Sequence, residues 1–178
     1  QLEQLATVIA KAVFPQLGPL IASIVLTGFA GAAIAAELGT MVVGEEVAAL
    51  RTSAIHPIRF LVVPRVIACV LMTVALAVLA NLVGTAGGGL IAWGVLDIDP
   101  YHYYHTAVDA LLVKDVATGL VKAGVFGLII VTVSCYEGLS VRGGAGGVGL
   151  ATTSSVVRSI FLIIAANCVF TALFYFVW

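Results

Sequence analysis

Three groups of residues have types and spacings that invite a chemical reading. His102 and His105 are close enough to form half of a metal site, but no further ligand pattern lies near them. Histidines at a membrane–water boundary are the better reading. Gly144-x-Gly146-x-x-Gly149 matches the spacing of the dinucleotide fingerprint, and a helix is expected after it. It lacks the preceding strand and βαβ setting, and no Asp or Glu follows Glu137 to hold a ribose. No Lys-Ser/Thr follows the glycines either, so both nucleotide readings are rejected. Lys122 is a single charge in an apolar run. A lysine inside a membrane is costly and tends to be functional or paired. Snorkelling to the polar segment about two turns away competes equally with that reading. Cys69, Cys135 and Cys168 lie far apart in apolar runs and read as small buried hydrophobes. No nucleophile–base pair, metal cluster or carboxylate couple appears, so no enzyme is expected and no metal site is assigned.

The elements that must position these residues follow from composition. Of 178 residues, 62% are hydrophobic and 10% charged, with mean hydropathy +1.19. Soluble domains carry about 25% charged residues, so this chain cannot cover itself with polar surface. The expected class is an all-α, polytopic helical membrane protein. Net charge is −1, which suggests neither nucleic-acid binding nor a polybasic lipid anchor. The chain opens on Gln1 without a charged-then-apolar leader, and is expected to begin partway into a longer protein.

Residues 12–36 carry no charge and exceed the ~20 needed to cross a bilayer. Pro15 and Pro19 fall near the start of this run, where they can shape the beginning of a helix. Small residues then recur every four positions, as Gly28, Ala32, Ala36 and as Gly31, Ala35, Gly39. Such stripes let helices pack closely in lipid. Residues 44–55 follow as an amphipathic unit of about three turns, with Glu45 and Glu46 in its first turn. Val47, Leu50 and Ala54 share one side, and Pro57 ends the unit. It is too short and too charged to span. Lying on the membrane surface and docking onto a partner are equally open.

Residues 66–96 are uncharged and would run to ~46 Å as straight helix, beyond a ~30 Å hydrocarbon core. The run Gly84 to Gly89 is the expected place for a bend or break. A polar, aromatic loop is expected over residues 97–115, with Tyr101, Tyr103 and Tyr104 at the membrane boundary. The third span, 116–136, carries Gly119, Ala123 and Gly127 on one stripe. After it, a glycine-rich loop is expected over 141–155, with Thr152, Thr153 or Ser154 capping a fourth span over 159–178. Four spans place Arg51, Arg59, Arg65, Arg142 and Arg158 on one side, opposite Lys11 and Lys114. The positive-inside rule makes the amphipathic unit cytosolic and turns the Tyr/His segment and Trp178 outward.

The sequence resembles the MlaE/YrbE family, the permease subunits of lipid-transporting ABC systems that work with MCE-domain proteins. The resemblance rests on Leu17-Gly18-Pro19, Gly31 with Ala32 to Met41, Glu45, Ala49-Leu50, Pro57 and Phe60 to Arg65. It continues through Lys122, Phe126-Gly127, Cys135, Gly138 and Gly143 to Val157, and so covers nearly the whole chain.

That resemblance implies a single permease domain over 1–178, with four spans here and five in a full protein that adds an N-terminal interfacial helix and one span. It implies a homodimer in the bacterial inner membrane, a cytosolic ABC ATPase, an outward-facing MCE-domain partner and a lipid substrate such as a glycerophospholipid. ATP and Mg would sit on the ATPase, with no cofactor on this chain. It also makes Glu45 to His56 the coupling helix, with Glu45, Glu46, Val47, Leu50, Arg51 and His56 meeting the ATPase. Gln16, Leu17, Leu20 and Ile21 would line the lipid pocket. Gly28, Gly31, Ala32, Ala35 and Gly39 are expected to pack helices, and Glu37 with Arg65 to brace the corners of the elbow. Gln16, Phe29, Ala48 and Asn167 stand where the family usually has charged residues, acidic at 16, 48 and 167 and an arginine at 29. A secondary transporter using Lys122 as its coupling charge, or a structural subunit without an ATPase, are the alternatives.

Overall fold

The computed structural model describes residues 3–96 and 99–177. Among them every regular element is helical, and four helices are long and apolar enough to cross a membrane. The chain is thus an all-α polytopic protein. Asp97 and Trp178, both expected outward, lie outside the described residues.

The first span is α1 (Glu3–Ala12), α2 (Gly18–Leu26) and α3 (Ala32–Val43), joined by the π-helical turns Val13–Leu17 and Thr27–Gly31. The helix begins earlier than the uncharged run, so Pro15 lies inside the span rather than at its start. Proline cannot donate to the ladder, and a wide turn around it is where a helix takes up the missing bond. The elbow helix α4 (Glu46–Thr52) is two turns, shorter than expected. Glu45 precedes it in a left-handed conformation instead of lying in its first turn.

Beyond the π-helical turn Ile58–Val62, α5 (Val63–Leu96) runs unbroken through the glycines where a bend was expected. The expected polar loop contains a helix, α6 (Pro100–Ala110). Tyr103, expected at the membrane boundary, is buried against Ala92 and Ala107. Methyl groups at Gly88 and Gly89 would stand 2.6 Å from the Tyr103 hydroxyl and 2.8 Å from that of Tyr104. The glycine run is therefore a shelf for α6, not a hinge. Burial raises the Tyr103 hydroxyl pKa above its ordinary value, and the neighbouring Tyr104 adds to the rise.

The third span, α7 (Val113–Leu139), sits at the centre. Its stripe meets every other span through small residues. A methyl at Gly119 would lie 2.4 Å from the Phe14 carbonyl, one at Gly127 would lie 2.8 Å from Thr73 Oγ1, and one at Gly138 would lie 2.8 Å from the Ala35 carbonyl. Ala123 packs with Ala22 and Ala77, and the buried Ser134 hydroxyl accepts from Ser155 at 2.9 Å. The last span, α8 (Ala145–Val177), starts well before residue 159 and absorbs most of the glycine-rich loop. Within residues 141–155, only Gly143 and Gly144 take left-handed conformations. Thr152 and Thr153 consequently lie inside the helix and donate back to the Val148 and Gly149 carbonyls rather than capping it. Cys69 and Cys135 are buried as expected, whereas Cys168 is exposed on α8.

One stripe of α3 packs more deeply than the other. Gly31, Ala35 and Gly39 are buried, the first against Ser134 and Ile130 and the last against Val141 and Val148. Ala32 is half-buried, while Gly28 is exposed and has nothing within 4 Å of a built methyl. Gly28, expected to pack a helix, thus faces open space among the described residues. Gly138→Ala is expected to lower stability by about 1–3 kcal/mol, because its methyl meets backbone that cannot rotate away. Gly28→Ala should leave it unchanged. Thermal unfolding of the purified protein in detergent measures both, and equal shifts would remove the close-approach account of α7.

Candidate functional site

Two polar constellations interrupt the apolar bundle, one in each half. In the half nearer α6, the first span, α7 and α8 converge on Lys122. Its side chain is 1% exposed, so it is buried rather than snorkelling. The ammonium donates to Gln16 Oε1 at 2.9 Å, to Thr171 Oγ1 at 3.2 Å and to Asn167 Oδ1 at 3.5 Å. Gln16 Nε2 in turn donates to Thr171 Oγ1 at 3.1 Å, and the Thr171 hydroxyl donates to the Asn167 carbonyl at 2.7 Å. The ring is closed on itself by neutral groups. Beside it opens a cleft of about 450 Å³, lined by Pro15, Gln16, Lys114, Asp115, Lys122 and Thr171 among others.

Of the residues predicted to hold lipid, only Gln16 reaches this cleft. Leu17 and Ile21 are 45% and 54% exposed on the surface of the chain, and Leu20 is half-buried against the main core cluster. Sequence reasoning missed Asn167 and Thr171 as ring members. The available signal was their polar character at i and i+4 in an otherwise apolar last span.

The second constellation lies at the elbow. Arg65 Nη2 stands 2.9 Å from Glu37 Oε1, while Arg65 Nη1 donates to the Leu61 carbonyl at 2.9 Å. The pair ties the end of the first span to the start of the second. It closes one end of a groove of about 360 Å³ that also touches Phe29, Ile34 and Cys69. A second ion pair, Glu137 with Arg158, joins the elbow-side halves of α7 and α8. Within the elbow, Val47 is buried and Leu50 half-buried against the bundle core. Glu45, Glu46, Arg51 and His56 are exposed. Val47, Arg51 and His56 together line a cleft of about 430 Å³ with Pro57 and Leu139. His102 and His105 are exposed on α6, and no group of three metal-ligating side chains occurs among the described residues.

The sequence that builds this polar ring and exposed elbow matches the family described as permease MlaE over residues 2–173. The chain belongs to that family. A "probable ABC transporter permease protein" of Rickettsia felis is 44% identical over 171 residues, 96% of this chain and 66% of the relative. One from Synechocystis is 42% identical over 152 residues, 85% of this chain and 58% of that protein. The Arabidopsis thaliana chloroplast protein TRIGALACTOSYLDIACYLGLYCEROL 1 is 40% identical over 168 residues, 94% of this chain and 48% of its own length. The chain thus spans 66% or less of these relatives.

The corner of this MlaE-family chain yields an asymmetric expectation. Arg65 holds both Glu37 and a backbone carbonyl, while Glu37 is 62% exposed and keeps water when its partner is lost. Arg65→Gln should therefore lower the unfolding temperature clearly, and Glu37→Gln should do so by less than half as much, because exposed ion pairs contribute little. Melting curves of the two variants decide this. Equal losses would mean the pair itself, not the bond to Leu61, fixes the corner.

Proposed function

We propose that the chain is the membrane permease of an ABC transporter, non-catalytic itself, that moves a glycerophospholipid or related lipid between the bacterial inner membrane and an outward-facing MCE-domain partner. It acts as a homodimer, and ATP and Mg are bound by a separate cytosolic ATPase. The single observation that carries this reading is the elbow. It leaves Glu46 and Arg51 exposed, with Arg51 lining a cleft, while Val47 and Leu50 fasten the same helix to the bundle core. A helix merely resting on lipid would turn its apolar face to the membrane. Here that face is taken up by the protein, which leaves the polar face for a partner. The names of the bacterial relatives support the ABC assignment, and that of the Arabidopsis relative contains the name of a galactosylated diacylglycerol.

In this mechanism ATP binding draws the two ATPase subunits together. The paired elbows carry that movement into the first and second spans through Val47, Glu37 and Arg65. The cleft beside Gln16, at the outward end, then changes shape around the lipid.

Because Leu50 packs inward, Leu50→Asp would test folding of the elbow rather than docking. Glu46→Lys with Arg51→Glu reverses two exposed charges without touching the core. Purified in mild detergent from cells making the full protein, this variant is expected to retain about tenfold less ATPase than the wild type, with an unchanged melting temperature. Undiminished ATPase would sink the docking assignment. Lipid or solute movement driven by an ion gradient in ATPase-free vesicles would instead favour a secondary transporter.

A further inference from the structure

Lys122 is a cation whose hydrogen-bond partners are all neutral. Its three N–H donors face an amide oxygen of Gln16, a hydroxyl of Thr171 and an amide oxygen of Asn167. Among the described residues no carboxylate stands within ion-pair distance of it. The sequence of the surrounding elements explains why. Residues 12–36 of the first span contain no acid, and neither does α8. On α7 itself, Glu137 is held by Arg158, and Asp115 accepts the Leu112 N–H at 3.3 Å to cap the helix.

A full charge buried among dipoles alone is an expensive arrangement in a membrane. It is relieved when something else brings the opposite charge. The cleft at Lys122 is open to such a visitor. Lys114 supplies a second cation on its wall, and Thr118 and Thr171 supply hydroxyls. The 3.5 Å contact to Asn167 is the longest of the three and the one an anionic oxygen would replace. Asp115, whose carboxylate is engaged in capping α7, also lines the cleft with Pro15 and Phe174, and Leu17 and Ile21 continue as apolar surface along the same helix. The combination suits an amphiphile with a negatively charged head and hydrocarbon tails.

We propose that Lys122 receives the anionic headgroup of the transported molecule, so that the cleft selects a phosphate-ester anion over a neutral headgroup of the same shape. The proposal rests on the lipid-permease reading only for the tails. The charge selection follows from the ring of Gln16, Asn167 and Thr171.

The test uses the full-length protein in its complex, in detergent, with three probes followed by titration calorimetry: dioctanoyl phosphatidic acid, dioctanoylglycerol and glycerol phosphate. The wild type is expected to bind the phosphatidic acid about ten- to a hundredfold more tightly than dioctanoylglycerol. Lys122→Met should abolish that preference, and Lys122→Arg should keep most of it. Gln16→Glu places a carboxylate in reach of the ammonium and should abolish the preference while the lysine stays in place. It decides the matter alone if Lys122→Met does not fold. A preference that survives both Lys122→Met and Gln16→Glu overturns the proposal, as does equal binding of the two lipids, which leaves the lipid reading standing. Lys122-dependent binding of glycerol phosphate with neither lipid bound upholds the anion site and overturns the lipid reading. Failure of all three probes to bind overturns both.

Discussion

The structure depends on how closely α7 is allowed to approach its neighbours. Helices in lipid gain little from the hydrophobic effect, since a lipid tail is as apolar as leucine, and they associate mainly through van der Waals contact and buried hydrogen bonds. Gly119, Ala123, Gly127 and Gly138 place α7 against backbone or short side chains of the first two spans, so that Phe126, Ile130 and Val131 fill the space between. The Ser134–Ser155 bond adds a polar tie to α8. Everything functional hangs on this central helix. Lys122 lies one turn beyond Gly119 and Glu137 immediately before Gly138, so the packing stripe also fixes where the two constellations stand.

Much of this was legible because membrane solvent imposes simple rules. Four spans and the elbow between the first two follow from uncharged run lengths and Pro57. The pairing of Arg65 with Glu37 follows from their positions at the two ends of the elbow. Misread segments share one cause, that a glycine-rich or polar string carries no mark of what packs on it. Gly84 to Gly89 reads as a break, yet the missing side chains at Gly88 and Gly89 make room for the Tyr103 and Tyr104 rings of α6. Residues 145–149 read as loop, yet they are helix, because Gly147 clears the Arg142 carbonyl and Gly39 of the first span clears Val148. Composition reports propensity, and here tertiary contact overrode it.

The ring around Lys122 was only half legible for a related reason. The sequence marks a lone lysine in a span, but its partners lie 106 and 49 residues away on other helices. Polar residues in an apolar run have few places to go, so Gln16, Asn167 and Thr171 were constrained to meet something polar. Which something depended on the crossing points of α7. With glutamine and asparagine at two of these positions, the ring satisfies hydrogen bonds without neutralising charge. That separates two requirements which a carboxylate would have met together.

The elbow shows how a short helix is made to behave as part of a rigid body. α4 has only two turns, too few to be stable alone. Both of its boundaries use non-glycine residues in the left-handed region, Glu45 and Ala54, each at φ 58°. At the far end the Ile55 N–H returns to the Leu50 carbonyl at 3.0 Å, and the Ala54 N–H to that of Arg51 at 3.1 Å, which closes the helix as a Schellman motif. Left-handed alanine costs about 1 kcal/mol or more, and persists only where surrounding contacts determine it. Those contacts are Val47 in the core, Leu50 against it, and the buried Pro57 and Leu61 that lead into the second span. A segment held this way is fastened to the two spans it joins. The Arg65 guanidinium links α3 and α5 where they diverge, so the elbow and both spans share one set of contacts.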